Sequence, residues 1–141
     1  MHTLSNRSLI QYQTLHPDLQ RIIDVALKCS DVDFVIVEGH RPVSRQQELF
    51  KQGLSKIDGV KTKGKHNYNP SMAFDFCVAG TDIYDRDHMM YLIGVFTSIG
   101  KCLKFSGDIT HNVRSGANWD QDGILIKGQK LVDLPHIEIW K

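Results

Sequence analysis

Residues 73–78 (AFDFCV) are the most restrictive segment of the sequence, because they combine the alternation of a strand with a single carboxylate. Alternate side chains of a strand point to opposite faces, so the large apolar side chains would share one face and Asp75 would lie on the other. The transfer of a carboxylate from water to the protein interior costs much free energy unless the carboxylate gains a partner there. The segment therefore predicts a sheet in which Asp75 faces a cation, a metal ion or strong hydrogen-bond donors.

Helical periodicity predicts helices on both sides of this strand. Apolar residues recur at helical spacing over 16–27 and over 85–100, and both segments begin with residues that favour a helix start. Between them, a capping box of Ser44 and Gln47 predicts a helix that stops at Gly53. Three helices are therefore expected.

Short strands are predicted in the intervals between these helices. A β-branched run occupies 33–37, and the alternating segment 136–140 closes a stretch of short β-like runs that begins at residue 102. The order is helix, strand, helix, strand, helix, then strands. This order predicts an α+β fold, with a central mostly antiparallel sheet and about three helices on one face.

The chain length is typical of one domain. With 141 residues, no internal repeat and no linker, residues 1–141 are expected to form a single domain. Residues 1–14 are polar and lack strong periodicity, so loose packing is expected there. Residues 54–70 are rich in Gly, Lys, Ser and Asn and predict a long, exposed, basic loop, a type of segment that is commonly functional.

The charge balance excludes several classes of partner. Lys and Arg number 17 and Asp and Glu number 16, which argues against a nucleic-acid partner because such proteins normally carry a basic excess. No apolar run is long enough to predict a membrane span, and residues 1–11 contain no apolar core of a signal peptide. We therefore expect synthesis in a cytoplasm without a signal peptide. We also expect the protein to be a monomer.

Three features of the sequence together suggest metal chemistry. His66 lies in a polar loop, Asp75 lies on the predicted strand, and Asp133 precedes His136 by three residues. Two histidines and one aspartate could bind a catalytic zinc ion and leave a fourth position open for water, within reach of Asp133 as a general base. Considered alone the pattern is weak, because a loop histidine is commonly solvated and a strand aspartate is commonly a structural hydrogen-bond acceptor.

Five segments in order resemble one family of zinc peptidases. Residues 66–76 and 133–138 resemble the two zinc motifs of the D-alanyl-D-alanine carboxypeptidase/L-alanyl-D-glutamate endopeptidase family, and residues 38–46 resemble its arginine-bearing segment. Residues 15–20 and 114–120 also match family signatures. The family is related in fold to lysostaphin and the hedgehog signalling domain, and its single-domain phage endolysins are most similar to this chain in size and layout.

The resemblance implies a role for each matching residue. It implies that His66, Asp75 and His136 bind Zn²⁺, that Asp133 is the general base, and that Arg41 orients substrate or stabilises the oxyanion. An alternative for Arg41 is a surface cation that pairs with Glu38, since such pairs are common for exposed arginines.

Two further residues of the arginine segment are candidates for substrate binding. His40 adjoins Arg41, and Gln46 follows it by five residues.

The chain departs from the family pattern in two places. Gly64 replaces a frequent serine, and the interval from His66 to Asp75 is two residues longer, which is expected to alter the substrate subsites of this loop but not the ligands.

The function implied by the resemblance is zinc-dependent hydrolysis of a peptide bond in peptidoglycan stem peptides. The L-Ala–D-Glu bond is the expected target, in a phage endolysin that acts on the cell wall after release from the host cytoplasm. Two alternatives stay open: a D-alanyl-D-alanine carboxypeptidase or dipeptidase, and a zinc-stabilised binding domain without catalysis.

Overall fold

The computed structural model describes residues 1–129 and 132–141. Within them, four α-helices are present, α1 (Asn6–Tyr12), α2 (Pro17–Cys29), α3 (Val43–Lys51) and α4 (Arg86–Ser106), together with a 3₁₀ helix, Lys65–Asn67. The strands are β1 (Phe34–Glu38), β2 (Ala73–Val78), β3 (Asn112–Gly116) and β4 (Asp133–Trp140). They form one sheet in the order β1-β2-β4-β3, in which each neighbouring pair is antiparallel.

One face of the sheet carries the apolar side chains and packs against α2 and α4. Phe74 and Phe76 are fully buried, and both rings meet the ring of Phe96 edge-on. Helix α2 contributes a buried stripe at helical spacing, which consists of Leu19, Ile22, Ile23 and Ala26. Full burial of one such large side chain contributes about 1.5–3 kcal/mol. The α+β prediction is confirmed, with four helices in the described residues where about three were expected.

The N-terminal segment is part of the fold, so the expectation that residues 1–14 pack loosely is wrong. Helix α1 lies against the edge strand β1, where the buried Ser8 hydroxyl accepts a hydrogen bond from the backbone N–H of Ile36 at 3.0 Å. The Gln11 side chain accepts a hydrogen bond from the N–H of Gly39 at 3.0 Å. These polar side chains form hydrogen bonds with backbone groups at the edge of the sheet. Because α1 is held by polar contacts of this kind, its sequence lacks the apolar periodicity that would have predicted its packing.

Helix α3 begins without the predicted capping box. A capping box requires its serine to precede the helix, but Ser44 lies inside the first turn. Pro42 occupies the N-cap position with φ of −59°, and Val43 is the first helical residue. The fixed φ of proline is compatible with a helix start, so this residue replaces the expected serine. Gly53, with φ of +73°, follows the helix as expected.

Helix α4 continues beyond Gly100, where the sequence pattern predicted its end. It reaches Ser106, and Gly107 then adopts a φ of +86°. Gly100 serves close packing, because a Cβ there would collide with Val113 of β3. Although α4 has 21 residues, no helix within 1–129 and 132–141 is long and apolar enough to cross a membrane.

A bulge in β1 places Glu38 on the face of the sheet opposite the core. Phe34 and Ile36 pair with core residues of β2, and strict alternation would turn Glu38 to the same side. The register shifts between Ile36 and Glu38, however, so that Glu38 pairs with Asp75. Bulges commonly redirect a side chain next to a functional site, and this one brings a second carboxylate beside Asp75.

We predict that Ser8→Ala lowers the free energy of unfolding by about 1–3 kcal/mol, because the buried N–H of Ile36 loses its acceptor. Urea denaturation measures this change. Ser44→Ala, at an exposed position, is the control and should alter stability by less than about 0.5 kcal/mol. Equal effects of the two substitutions would contradict the role of α1.

Candidate metal centre

The register of β2 and β4 brings two of the predicted ligands side by side. Asp75 pairs directly with His136, and both side chains lie on the face opposite the phenylalanine core. His66 approaches the same point from the 3₁₀ helix and is 6% exposed. The fold therefore brings together three residues that lie up to 70 positions apart in the sequence.

The three donor atoms form a triangle with equal sides. His66 Nε2, His136 Nδ1 and Asp75 Oδ1 are each 3.3 Å from the other two. Zinc binds imidazole nitrogen and carboxylate oxygen at about 2.0–2.2 Å, and tetrahedral geometry then places neighbouring ligand atoms about 3.3–3.5 Å apart. The triangle therefore fits three corners of a zinc tetrahedron.

Hydrogen bonds at the outer ring nitrogens favour one neutral tautomer of each histidine. His66 Nδ1 donates to the Gly39 carbonyl at 2.8 Å, and His136 Nε2 donates to Glu138 Oε1 at 2.9 Å. A neutral imidazole carries one proton, so the inner nitrogens must present lone pairs. Three acceptor atoms that converge without a proton between them require a cation, and outer partners of this kind are typical of metal-binding histidines.

The pKa shifts of Asp75 and His136 indicate that this cluster favours a positive charge. Burial would raise the pKa of Asp75, but when the inner nitrogens of His136 and His66 carry protons, their hydrogen bonds and charges outweigh burial and lower that pKa well below its usual value. Burial would lower the pKa of His136, but Asp75 and Glu138 raise it to about 9. Because an imidazolium supplies the positive charge that a metal ion would supply, protons and metal compete for the cluster.

Asp133, the predicted general base, lies at the start of β4 beside the triangle. Burial raises its pKa, and Asp75 adds to the increase, while His136, His66 and Arg41 act in the opposite direction. These electrostatic contacts place the Asp133 carboxylate near all three donors. A raised pKa suits a general base, because proton transfer is most efficient when that pKa lies near the working pH.

Arg41 is held rigidly next to the same site. Its Nε and Nη2 each donate to a Glu38 oxygen at 2.7 Å, and Nη1 donates to Gln46 Oε1 at 3.0 Å. Hydrogen bonding to Glu38 raises the pKa of Arg41 despite burial, with contributions from Asp75 and Asp133. The alternative of a surface ion pair is right about the Glu38 partner, but the arginine side chain is only 15% exposed.

The two candidate substrate residues differ in accessibility. His40 is partly exposed, and its Nδ1 donates to the Tyr68 carbonyl at 2.9 Å, which leaves Nε2 as an acceptor. Gln46 is 3% exposed, and its amide bonds to Arg41, to the loop that follows α3 and to Asn67. Gln46 thus lies behind Arg41 and supports it, so the expectation of direct substrate contact by Gln46 does not fit its burial.

A second cluster of His16, Asp18 and His111 also has the composition of a metal site. Its atoms, however, are already occupied by hydrogen bonds. His16 Nδ1 accepts from the backbone N–H of Asp18 at 3.0 Å. Asp18 Oδ2 accepts from the backbone N–H groups of Thr110 and His111 and from His111 Nδ1. This cluster joins the start of α2 to the segment before β3.

The comparisons with known proteins agree with this geometry. Residues 1–140 match the model of the phage L-alanyl-D-glutamate peptidase family, and the chain belongs to that family. The L-alanyl-D-glutamate peptidase of Escherichia phage T5 is 28% identical over 114 residues, which cover 80% of this chain and 78% of the relative. The peptidoglycan L-alanyl-D-glutamate endopeptidase CwlK of Bacillus subtilis (strain 168) is 34% identical over 84 residues. These residues cover 52% of this chain and 50% of that relative.

A solved structure has the same fold. The L-Ala D-Glu endopeptidase ChiX of Serratia marcescens superposes with a TM-score of 0.69, at 24% sequence identity, over 97% of this chain and 89% of the other. At this identity the likeness establishes the fold alone.

We predict that the wild-type protein binds one zinc ion per chain and that His136→Ala loses it, because two of the three donors cannot hold the ion at neutral pH. Elemental analysis after dialysis measures the zinc content. His88→Ala is the control, since His88 lies on exposed α4 surface beside Asp85, and it should keep the ion. Stoichiometric zinc in His136→Ala would remove His136 from the ligand set.

Proposed function

We propose that this protein is a zinc-dependent endopeptidase that hydrolyses the L-Ala–D-Glu bond of peptidoglycan stem peptides. The observation that carries the proposal is the triangle of three donor atoms, 3.3 Å apart, with Asp133 within electrostatic range of it. Membership of the phage L-alanyl-D-glutamate peptidase family supports the substrate and the bond. Both named relatives are peptidases of this bond.

His66, Asp75 and His136 would hold the zinc ion and leave its fourth position for water or substrate. When bound, zinc supplies a Lewis acid that lowers the pKa of water towards about 7 and polarises a carbonyl. Asp133 takes the proton from the attacking water and then donates it to the amine that leaves, so one carboxylate serves both halves of the hydrolysis.

Arg41 supplies positive charge for the oxygen that becomes negative during attack, or for a carboxylate of the substrate. Its bonds to Glu38 and Gln46 use three of the five guanidinium N–H donors, so two are left for substrate. Because the guanidinium is already fixed, little reorganisation is needed when charge develops. His40, next to Arg41 and partly exposed, is proposed as a substrate contact through Nε2.

We also propose that residues 1–141 act as one catalytic domain, since every residue assigned here belongs to the one sheet and the segments packed against it. The enzyme is a phage endolysin: it accumulates in the host cytoplasm and acts on the cell wall after release. Its partner is the peptidoglycan peptide, and the protein is a monomer.

Two other functions are compatible with a zinc centre on this fold. A D-alanyl-D-alanine carboxypeptidase or dipeptidase would use the same ligands and base on a different bond. A binding domain would need the metal for stability only. The raised pKa of Asp133 and the fixed position of Arg41 favour catalysis, because a purely structural zinc needs neither.

The products formed from purified peptidoglycan distinguish the three functions. Incubation with the zinc-loaded protein should release new L-Ala carboxyl termini and D-Glu amino termini, and a chelator should abolish both. Mass spectrometry with end-group labelling identifies these ends. Free D-Ala would instead indicate the carboxypeptidase, and the absence of any product from zinc-loaded protein would indicate a binding domain.

We predict that Asp133→Asn retains one zinc ion per chain but lowers kcat by about 10²–10⁴-fold, because the amide cannot accept the proton. Metal analysis and a peptide-cleavage assay on the same sample measure both effects. Asp108→Asn, an exposed carboxylate paired with Arg21, is the control and should keep full activity. Full activity of Asp133→Asn would exclude Asp133 from the mechanism.

A further inference from the structure

Arg114 lies outside the metal centre but is connected to it through one carboxylate. In the register of β3 and β4, Arg114 pairs directly with Glu138. Its Nε donates to Glu138 Oε2 at 3.2 Å, its Nη2 forms an ion pair with the same oxygen at 3.1 Å, and Glu138 Oε1 accepts from His136 Nε2 at 2.9 Å. The two oxygens of Glu138 thus have separate partners, the arginine on one side and the proposed ligand on the other.

Two tryptophans fix the plane of the Arg114 guanidinium. Its central carbon lies 5.2 Å from the ring centre of Trp119 and 5.1 Å from that of Trp140. Its Nη1 also donates to the Trp119 backbone carbonyl at 3.1 Å. Stacking on aromatic rings and a planar set of donors are properties that lysine lacks, so this environment is specific for arginine.

The same tryptophan also contacts the proposed ligand. The Trp119 ring centre lies 5.1 Å from that of His136, with the planes inclined by 39°. Arg114 therefore restrains His136 by two routes, through the Glu138 carboxylate and through Trp119. Glu138 is 4% exposed, so without Arg114 its charge would be buried with His136 as its one remaining side-chain partner among the described residues.

We propose that Arg114 is a positioning residue that sets the zinc affinity of the centre by holding Glu138 and, through it, the orientation of His136. The proposal rests on the proposed function insofar as it requires the three donors to bind zinc. Loss of an outer partner of a metal-binding histidine typically costs about 10–100-fold in metal affinity. Arg114 acts one contact farther out, on the carboxylate that orients the ring.

Zinc affinity, measured by competition with a chelator of known affinity at fixed pH, tests the proposal. Arg114→Met keeps much of the stem but removes the charge and the donors, and we expect zinc binding to weaken about 10-fold or more. Arg114→Lys keeps the charge without the planar set of donors and should recover part of the loss. Arg21→Met, which removes an exposed arginine paired with Asp108 at 3.8 Å, is the matched control and should bind zinc within twofold of wild type.

A double-mutant cycle separates positioning from a general effect on folding. If Arg114 acts through Glu138, Arg114→Met should weaken zinc binding much less in the Glu138→Gln background than in the wild type. Thermal unfolding of each metal-free protein measures stability independently. If Arg114→Met does not fold, the zinc affinity of Arg114→Lys alone tests the proposal, and it should be weaker than that of the wild type.

The possible failures are distinguishable. A wild-type protein that binds no zinc would overturn the proposed function and this inference together. A wild-type protein that binds zinc, with Arg114→Met and Arg114→Lys within twofold of it, would overturn this inference alone. An equal loss in the wild-type and Glu138→Gln backgrounds would also overturn it, because the effect would not pass through Glu138.

Discussion

The structure depends on three lone pairs that converge on one point inside the protein. His66 and His136 both use their outer nitrogens to donate, so their inner nitrogens face Asp75 Oδ1 at 3.3 Å as acceptors. Without a positive charge between them, these atoms would repel one another in surroundings that screen charge poorly. A zinc ion would relieve that repulsion, and the geometry of the triangle matches its tetrahedral preference.

Backbone features fix this convergence. Antiparallel register pairs Asp75 with His136, and the bulge of β1 turns Glu38 to the same face, where it holds Arg41. The contact between β3 and Asp133 is so close that a Cβ on Gly116 would collide with the Asp133 backbone. The position of the proposed base therefore depends on a glycine, because any larger residue would displace it.

Alternation predicted the strand that carries Asp75, because it is a local signal, whereas the grouping of His66 and His136 with Asp75 followed from the resemblance to a peptidase family. The sequence could not predict which partners satisfy the polar groups, since these depend on register. The role of α1 was missed because Ser8 acts through a single hydrogen bond to β1. Gly100 resembled a helix end but is a packing contact with Val113. The burial of Gln46 and the pairing of Arg114 with Glu138 likewise follow from tertiary structure.

X-ray absorption at the zinc edge of the loaded protein tests the central claim most directly. Four light atoms are expected at about 2.0–2.1 Å from the zinc ion, with the multiple-scattering pattern of two imidazoles. The buried thiol of Cys77 lies two residues from Asp75 on the same strand face and is the rival sulfur ligand that this measurement tests. A sulfur atom at about 2.3 Å, or a six-coordinate shell of oxygens, would contradict the proposed centre.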